Sequence, residues 1–211
     1  MKPTHVLWDF NGTVLDDVAP CIRSINELLE KYGCKPLESK DEYQSVFGFP
    51  IRDYYSRIGF DFDRIPYETL AVEWVELYNR YNDPLTLCPH VREALDAVKA
   101  AGIPQLILTA SSVDMVRDQL SGLGIGPYFE KIIGVDNIHA YGKIEIAQEW
   151  IRKERPKHAV LIGDTTHDRE VADAIGAGCA LVSCGHMSAD KLKRYGNVYA
   201  DPLEAVKNIL E

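Results

Sequence analysis

No stretch of this 211-residue sequence approaches the roughly 18 uninterrupted apolar residues of a membrane-spanning helix, so no helical membrane span is expected. Even the first apolar run, Val6-Leu7-Trp8, is cut short by Asp9, which reads as a buried strand and not as the centre of a signal peptide. Positive charge is scarce as well. Twenty-three Lys and Arg face 32 Asp and Glu, for a formal charge of -9, which argues against a nucleic-acid-binding surface. The five cysteines are odd in number and lack C-x-x-C spacing, which speaks against structural zinc and for free thiols in a reducing cytoplasm. There is no internal repeat and no low-complexity segment. What remains is an acidic cytoplasmic globular protein, long enough to bury a substantial core, with neither a membrane nor a nucleic acid as partner.

Apolar periodicity divides the chain in two. After Asp9 come helical patterns: residues 19–33, with Ile22, Ile25, Leu28 and Leu29 on one face, then 51–58 and 66–82. The aromatics of the last pattern fall at core-packing spacing, and Asp83-Pro84 ends it. From Val91 helices and short apolar strands alternate, with strands expected at 105–108, 131–135, 159–162 and 180–182. Such alternation predicts an α/β fold with a parallel sheet covered on both faces. The helical block after the first strand would stand over the strand ends.

Four segments place polar residues just past these strands. They are Asp9; Thr109-Ala110-Ser111-Ser112; Lys143, after Gly142 at a helix start; and Asp164 with Asp168 in Gly163-Asp164-Thr165-Thr166-His167-Asp168. In a parallel sheet these ends share one edge, where α/β proteins bind ligands. The set suits phosphoryl transfer: a nucleophile in Asp9, oxygen ligands for Mg²⁺ in Asp9, Asp164 and Asp168, and hydroxyl and ammonium donors for phosphoryl oxygens. Read singly, Thr109 is a turn residue, Lys143 a surface lysine and Asp168 a helix cap. Asp9 resists such a reading, because an unpaired carboxylate after a buried strand is costly.

The run Asp9-Phe10-Asn11-Gly12-Thr13-Val14-Leu15 and the three later segments, in this order, resemble the motifs of the haloacid dehalogenase-like superfamily. That resemblance implies a Rossmann-like core (residues 1–16 and 86–211) with a helical C1-type cap (residues 17–85) inserted after the first strand. It also implies a Mg²⁺-dependent phosphatase of phosphoglycolate-phosphatase type, acting on a small phosphorylated substrate through an aspartyl phosphate. Asp9 would be the nucleophile, and the Asn11 backbone carbonyl a metal ligand beside Asp9, Asp164 and Asp168. Thr109 and Ala110 would hold the phosphoryl group, with Lys143 steadying nucleophile and phosphate. Arg52, in a cap loop, is a candidate grip for a second anionic group; a surface arginine is the plain alternative.

The family's phosphatases carry a second Asp, as general acid–base, where this chain has Asn11. An amide cannot exchange protons in that way, and loss of an acid–base commonly costs about 10²–10⁴-fold. Three readings follow: substrates with good leaving groups, such as acyl or aryl phosphates; a substitute acid–base, with Asp16, Asp17 and His167 as candidates; or a slow or inactive chain that serves as a phospho-ligand sensor or partner-binding module. His167 and His186 read most simply as exposed turn residues.

Overall fold

The computed structural model describes residues 2–135 and 142–211. In chain order the elements are β1 (His5–Trp8), α1 (Val18–Lys31), α2 (Lys40–Val46), α3 (Ile51–Arg57), α4 (Tyr67–Tyr81), α5 (Val91–Ala100), β2 (Gln105–Leu108) and α6 (Val113–Gly122). There follow β3 (Lys131–Ile133), α7 (Lys143–Glu154), β4 (Ala159–Gly163), α8 (Thr166–Ile175), β5 (Gly178–Val182), α9 (Ala189–Leu192), β6 (Val198–Tyr199) and α10 (Pro202–Leu210). The strands form one sheet in the order β3-β2-β1-β4-β5-β6, every neighbouring pair parallel. The α/β architecture expected from the sequence is therefore present.

Period-two alternation explains how these short apolar strands hold helices on both faces. Val6 and Trp8 of β1, Ile107 of β2 and Ile162 of β4 pack into one cluster with Val91, Leu95 and Val98 of α5, Val116 and Leu120 of α6, and Val206 of α10. Leu7, Leu106, Leu108 and Leu161 point the other way, against Trp150 of α7 and Val171, Ala172 and Ile175 of α8. The strand order reverses direction between β1 and β4, which lays open a crevice at their carboxyl ends.

Helices α1 to α4 build an apolar cluster of their own around Ile25, Leu28, Leu29, Leu70 and Tyr78. The two segments joining them to the sheet run side by side. Asp16 N donates to Thr86 O at 2.9 Å, Cys88 N donates to Val14 O at 3.0 Å, and Leu15 bridges Leu87 in antiparallel fashion. The block is thus tied to the sheet at one neck, immediately after β1.

Two elements depart from the sequence expectation. Helix α2 was not anticipated. It is set by Ser39, whose side chain accepts from Glu42 N, while Glu42 returns to Glu38 N. Strand β6 is two residues long and carries no readable period.

Leu28, 1 % exposed, is one of the side chains whose burial holds the helical block together. Leu28→Ala is expected to cost about 2–5 kcal/mol in denaturant unfolding. Val72→Ala on exposed α4 surface should stay within about 0.5 kcal/mol of the parent, and equal losses for the two variants would contradict this packing.

Candidate active site

Parallel pairing brings the strand ends together as the sequence suggested. Asp9 leaves β1, Thr109 leaves β2, and Asp164 leaves β4, while Lys143 opens α7 and Asp168 lies in the first turn of α8. All five side chains are buried. Lys143 Nζ donates to Asp9 Oδ1 and, at 2.6 Å, to Asp168 Oδ1. The second Asp168 oxygen accepts from Thr165 N at 3.0 Å and Thr165 Oγ1 at 2.7 Å, closing a capping box on α8. Asp168 is therefore both the helix cap of the plain reading and a member of the buried charge cluster.

Asp164 receives Thr13 Oγ1 at 3.0 Å and His186 N at 2.6 Å. Carboxylate oxygens of Asp9, Asp164 and Asp168 lie within 4.8 Å of one another. Burial first, then the charge of Asp168, push the Asp9 carboxyl well above its usual range; Lys143 opposes the rise and Asp164 adds to it. Asp164 is also raised, chiefly by burial. For Lys143, burial works against charge, but the carboxylates of Asp168 and Asp9 outweigh it and hold the ammonium above the ordinary lysine range. Three buried carboxylates against one ammonium leave a deficit of positive charge that a divalent cation fits.

The backbone is shaped for this crowding. Gly12 has φ +76°, and a Cβ there would collide with the Asp164 carboxylate and the His186 ring. Gly163 is equally constrained, since a Cβ would strike the Asp168 side chain.

The helical block closes over these groups. A cavity of about 620 Å³ is lined on the sheet side by Asp9, Asn11, Thr109, Ala110 and Lys143, and on the helical side by aromatics from α2 to α4 and the loop between α2 and α3. Arg52 does not line it. That side chain is exposed and lies over the rings of Phe62 (4.7 Å) and Tyr67 (5.6 Å), the plain surface arginine of the two alternatives. His167 lines the cavity with its Nδ1 3.0 Å from Glu170 Oε2.

Asn11 is held on both ends. Its Nδ2 donates to Asp17 Oδ2 at 2.8 Å and to Tyr78 Oη at 3.0 Å, and its Oδ1 accepts from Ser111 Oγ at 3.1 Å. The amide thus ties the loop after β1 to α4 and to the loop after β2. The neighbouring Gly12 N donates to Asp17 Oδ1 at 2.9 Å. Asp17 precedes α1 yet does not cap it; its carboxylate turns back to these groups and to His186 Nε2 at 3.1 Å. Tyr43 Oη meets the other ring nitrogen, Nδ1, at 2.8 Å.

His186 is thus a correction to the sequence reading. It is buried and lines the cavity, not exposed in a turn. Its place just beyond β5, on the same sheet edge as Asp9, was the available signal. Burial disfavours its charge, but Asp17 outweighs burial and pushes the imidazolium up to about 9. Burial likewise raises Asp17, and His186, Asn11 and Tyr78 together overcome it to leave the carboxyl below its usual range.

The sequence profile of the family described as haloacid dehalogenase-like hydrolase matches residues 6–182. The chain belongs to the haloacid dehalogenase-like hydrolases. It is 26 % identical to a phosphoglycolate phosphatase of Rhodobacter capsulatus, over 86 % of this chain and 84 % of that one. It is 25 % identical to pyrophosphatase PpaX of Bacillus velezensis, over 99 % of this chain and 95 % of that one. The fold is shared with a haloacid dehalogenase-like hydrolase from Streptococcus pneumoniae (TM-score 0.78, 20 % identity, 98 % of each chain). It is shared equally with protein tyrosine kinase A of Mycobacterium tuberculosis (TM-score 0.80, 22 % identity, 99 % of this chain and 98 % of that one). Family membership places the buried carboxylate cluster in a hydrolase.

The Asp17–His186 pair sets a pH dependence. A histidine raised from an unfolded value near 6.5 to about 9 stabilises the fold fully below about pH 6.5, and that stabilisation is lost as pH rises through 9. Denaturant unfolding in metal-free buffer should therefore show stability falling by on the order of 3 kcal/mol across that window, and the fall should be absent in His186→Gln. A flat profile for the parent chain would contradict the assignment.

Proposed function

We propose that this chain is a Mg²⁺-dependent phosphatase that hydrolyses a small phosphorylated metabolite in a reducing cytoplasm. The observation that carries the reading is the position of Asp9, a buried carboxylate on the cavity wall, with Lys143 on one side and Asp164 on the other. The relatives named as phosphoglycolate phosphatase and pyrophosphatase support phosphate chemistry. Free cysteines among the described residues suit the compartment, and no helix among those residues is long and apolar enough to cross a membrane.

In this reading residues 17–85 form the cap over the core made by residues 1–16 and 86–211. Asp9, Asp164 and the Asn11 carbonyl would hold the cation, with Asp168 beside them. The cation would supply charge neutralisation at the phosphoryl oxygens. Asp9 attacks phosphorus and the leaving oxygen departs with the electron pair of its P–O bond. Water then attacks the aspartyl phosphate and restores the carboxylate. Lys143 opposes the rise that burial imposes on the Asp9 carboxyl and, with Thr109 and the turn at Ala110, holds the phosphoryl oxygens. Asp168 in turn orients Lys143.

A second reading, phospho-ligand binding without turnover, is favoured by one observation. Asn11 carries no acid–base proton, and both ends of its amide are taken by Asp17, Tyr78 and Ser111.

One experiment separates the two. Phosphate release from acyl, aryl and alkyl phosphates should require Mg²⁺, vanish with a chelator and return on readdition. In Asp9→Ala it should fall by more than about a thousandfold. Magnesium-dependent release that survives in Asp9→Ala would sink the mechanism, and binding with no release by the parent chain would select the second reading.

A further inference from the structure

The cavity wall facing the phosphoryl site differs in chemistry from what the named relatives' substrates call for. Phosphoglycolate and pyrophosphate each carry a second anionic group beyond the phosphoryl that is transferred. Burying such a group against a protein wall needs a cation or several donors. Among the described lining residues the cationic candidates are Lys143, His186 and His167. Lys143 is engaged by Asp9 and Asp168, His186 is paired with Asp17, and His167 with Glu170. Arg52 faces Phe62 and Tyr67 instead.

Beside Asn79 and the hydroxyls of Ser111 and Ser112, what the wall chiefly offers is rings. Phe47, Phe49, Tyr54, Trp74 and Tyr78 line it, with Met115 opposite on α6. Trp74 and Tyr78 stack at 5.0 Å with 18° between planes, and Phe47 meets Phe49 and Tyr54 edge-on. Phe49 and Val75 also stand out as exposed, at 42 % and 49 %, and both belong to this cavity. A wall of this kind gains by covering a flat apolar body and loses by desolvating a carboxylate.

Asn11 restricts the same substrate from the other end. Its amide cannot protonate a departing alkoxide, and the carboxylate next to it, Asp17, is turned to Asn11 Nδ2, Gly12 N and His186 Nε2. A leaving oxygen that is stable as an anion needs no such proton.

We infer that the substrate is an aryl phosphate, the phosphomonoester of a phenol, with no second charge on its aromatic body. This rests on the phosphatase reading and names the substrate class of that site. The Asp9 carboxylate forms a bond to phosphorus while the P–O(aryl) bond breaks, and the electron pair leaves as phenolate, which takes its proton from solvent. Water then attacks phosphorus, the bond to Asp9 breaks, and inorganic phosphate and one proton are released. The ring sits against Trp74, Tyr78 and Phe49, and the phosphoryl group against Thr109 and Lys143.

The test has two arms. In the first, phosphate release with Mg²⁺ is compared for phenyl phosphate, phosphoglycolate and pyrophosphate; kcat/KM for phenyl phosphate should lead by at least about tenfold. In the second, calorimetry compares phenylphosphonate with phosphonoacetate, neither of which can be cleaved. Phenylphosphonate should bind more tightly, and the preference should shrink in Trp74→Ala and in Phe49→Ala, the latter at an exposed position where folding is not at stake. Equal or tighter binding of phosphonoacetate, no binding of either, or a kinetic lead for phosphoglycolate or pyrophosphate would overturn the inference. Retained phenylphosphonate preference without phosphate release from any substrate would support the ligand class and remove the phosphatase reading instead.

Discussion

Everything around the site answers to one constraint: three carboxylates, Asp9, Asp164 and Asp168, are buried together with a single ammonium, Lys143. Removing an ion from water costs several kcal/mol even after relaxation, so each of these groups must be met by charge or by hydrogen bonds. The surrounding sequence supplies them in turn. Thr13 and the His186 backbone satisfy Asp164, the α8 capping box satisfies Asp168, and the glycines at 12 and 163 leave room for the oxygens to converge. Even so the negative charge is not balanced within the cluster, which gives a divalent cation a local physical reason to bind there.

A second polar network does a different job. Asp17, Asn11, His186, Tyr43 and Tyr78 come from the neck after β1, from the helical block and from the loop after β5, and they are joined by direct hydrogen bonds. The helical block has its own apolar cluster and touches that of the sheet side through Phe47 against Leu181, Met187 and Leu192, so polar contacts carry much of the registration between them. Buried polar groups have few geometries in which all partners are met, so a network of this kind specifies orientation more sharply than area does. The cavity between ring wall and carboxylates owes its shape to that registration.

Much of this was readable from the chain, and for a definite reason. Strands with residues alternating between two covered faces are mostly apolar, so Asp9, Thr109 and Asp164 stand out as the first polar residues past Trp8, Leu108 and Gly163. Lys143 was legible as a helix start after Gly142. Asp17 was legible only as one of several candidate acid–bases and His186 only as a turn residue, because their pairing spans 169 positions and neither sits in a periodic pattern. Arg52 failed the other way: a cap-loop cation looks like a ligand grip in sequence, and only the fold shows its guanidinium over two rings. Helix α2 was hidden because its short span carries only Tyr43 and Val46 as apolar positions, whereas the equally short α3 shows Ile51, Tyr54 and Tyr55 on one face.

Position 11 is best understood through Asp17. A carboxylate in place of the Asn11 amide would stand against Asp17 Oδ2 where the amide nitrogen now donates at 2.8 Å, and two anions at that separation cannot both remain charged in a buried site. Asparagine resolves the conflict by offering two donors, one to Asp17 and one to Tyr78, and an acceptor to Ser111. Asp17 is free to stay ionised and hold His186 charged. The amide at position 11 and the lowered carboxyl of Asp17 are therefore two sides of one arrangement. A carboxylate at position 11 beside an unchanged Asp17 would therefore have to share a proton with it, and the present pairing of Asp17 with His186 would change with it.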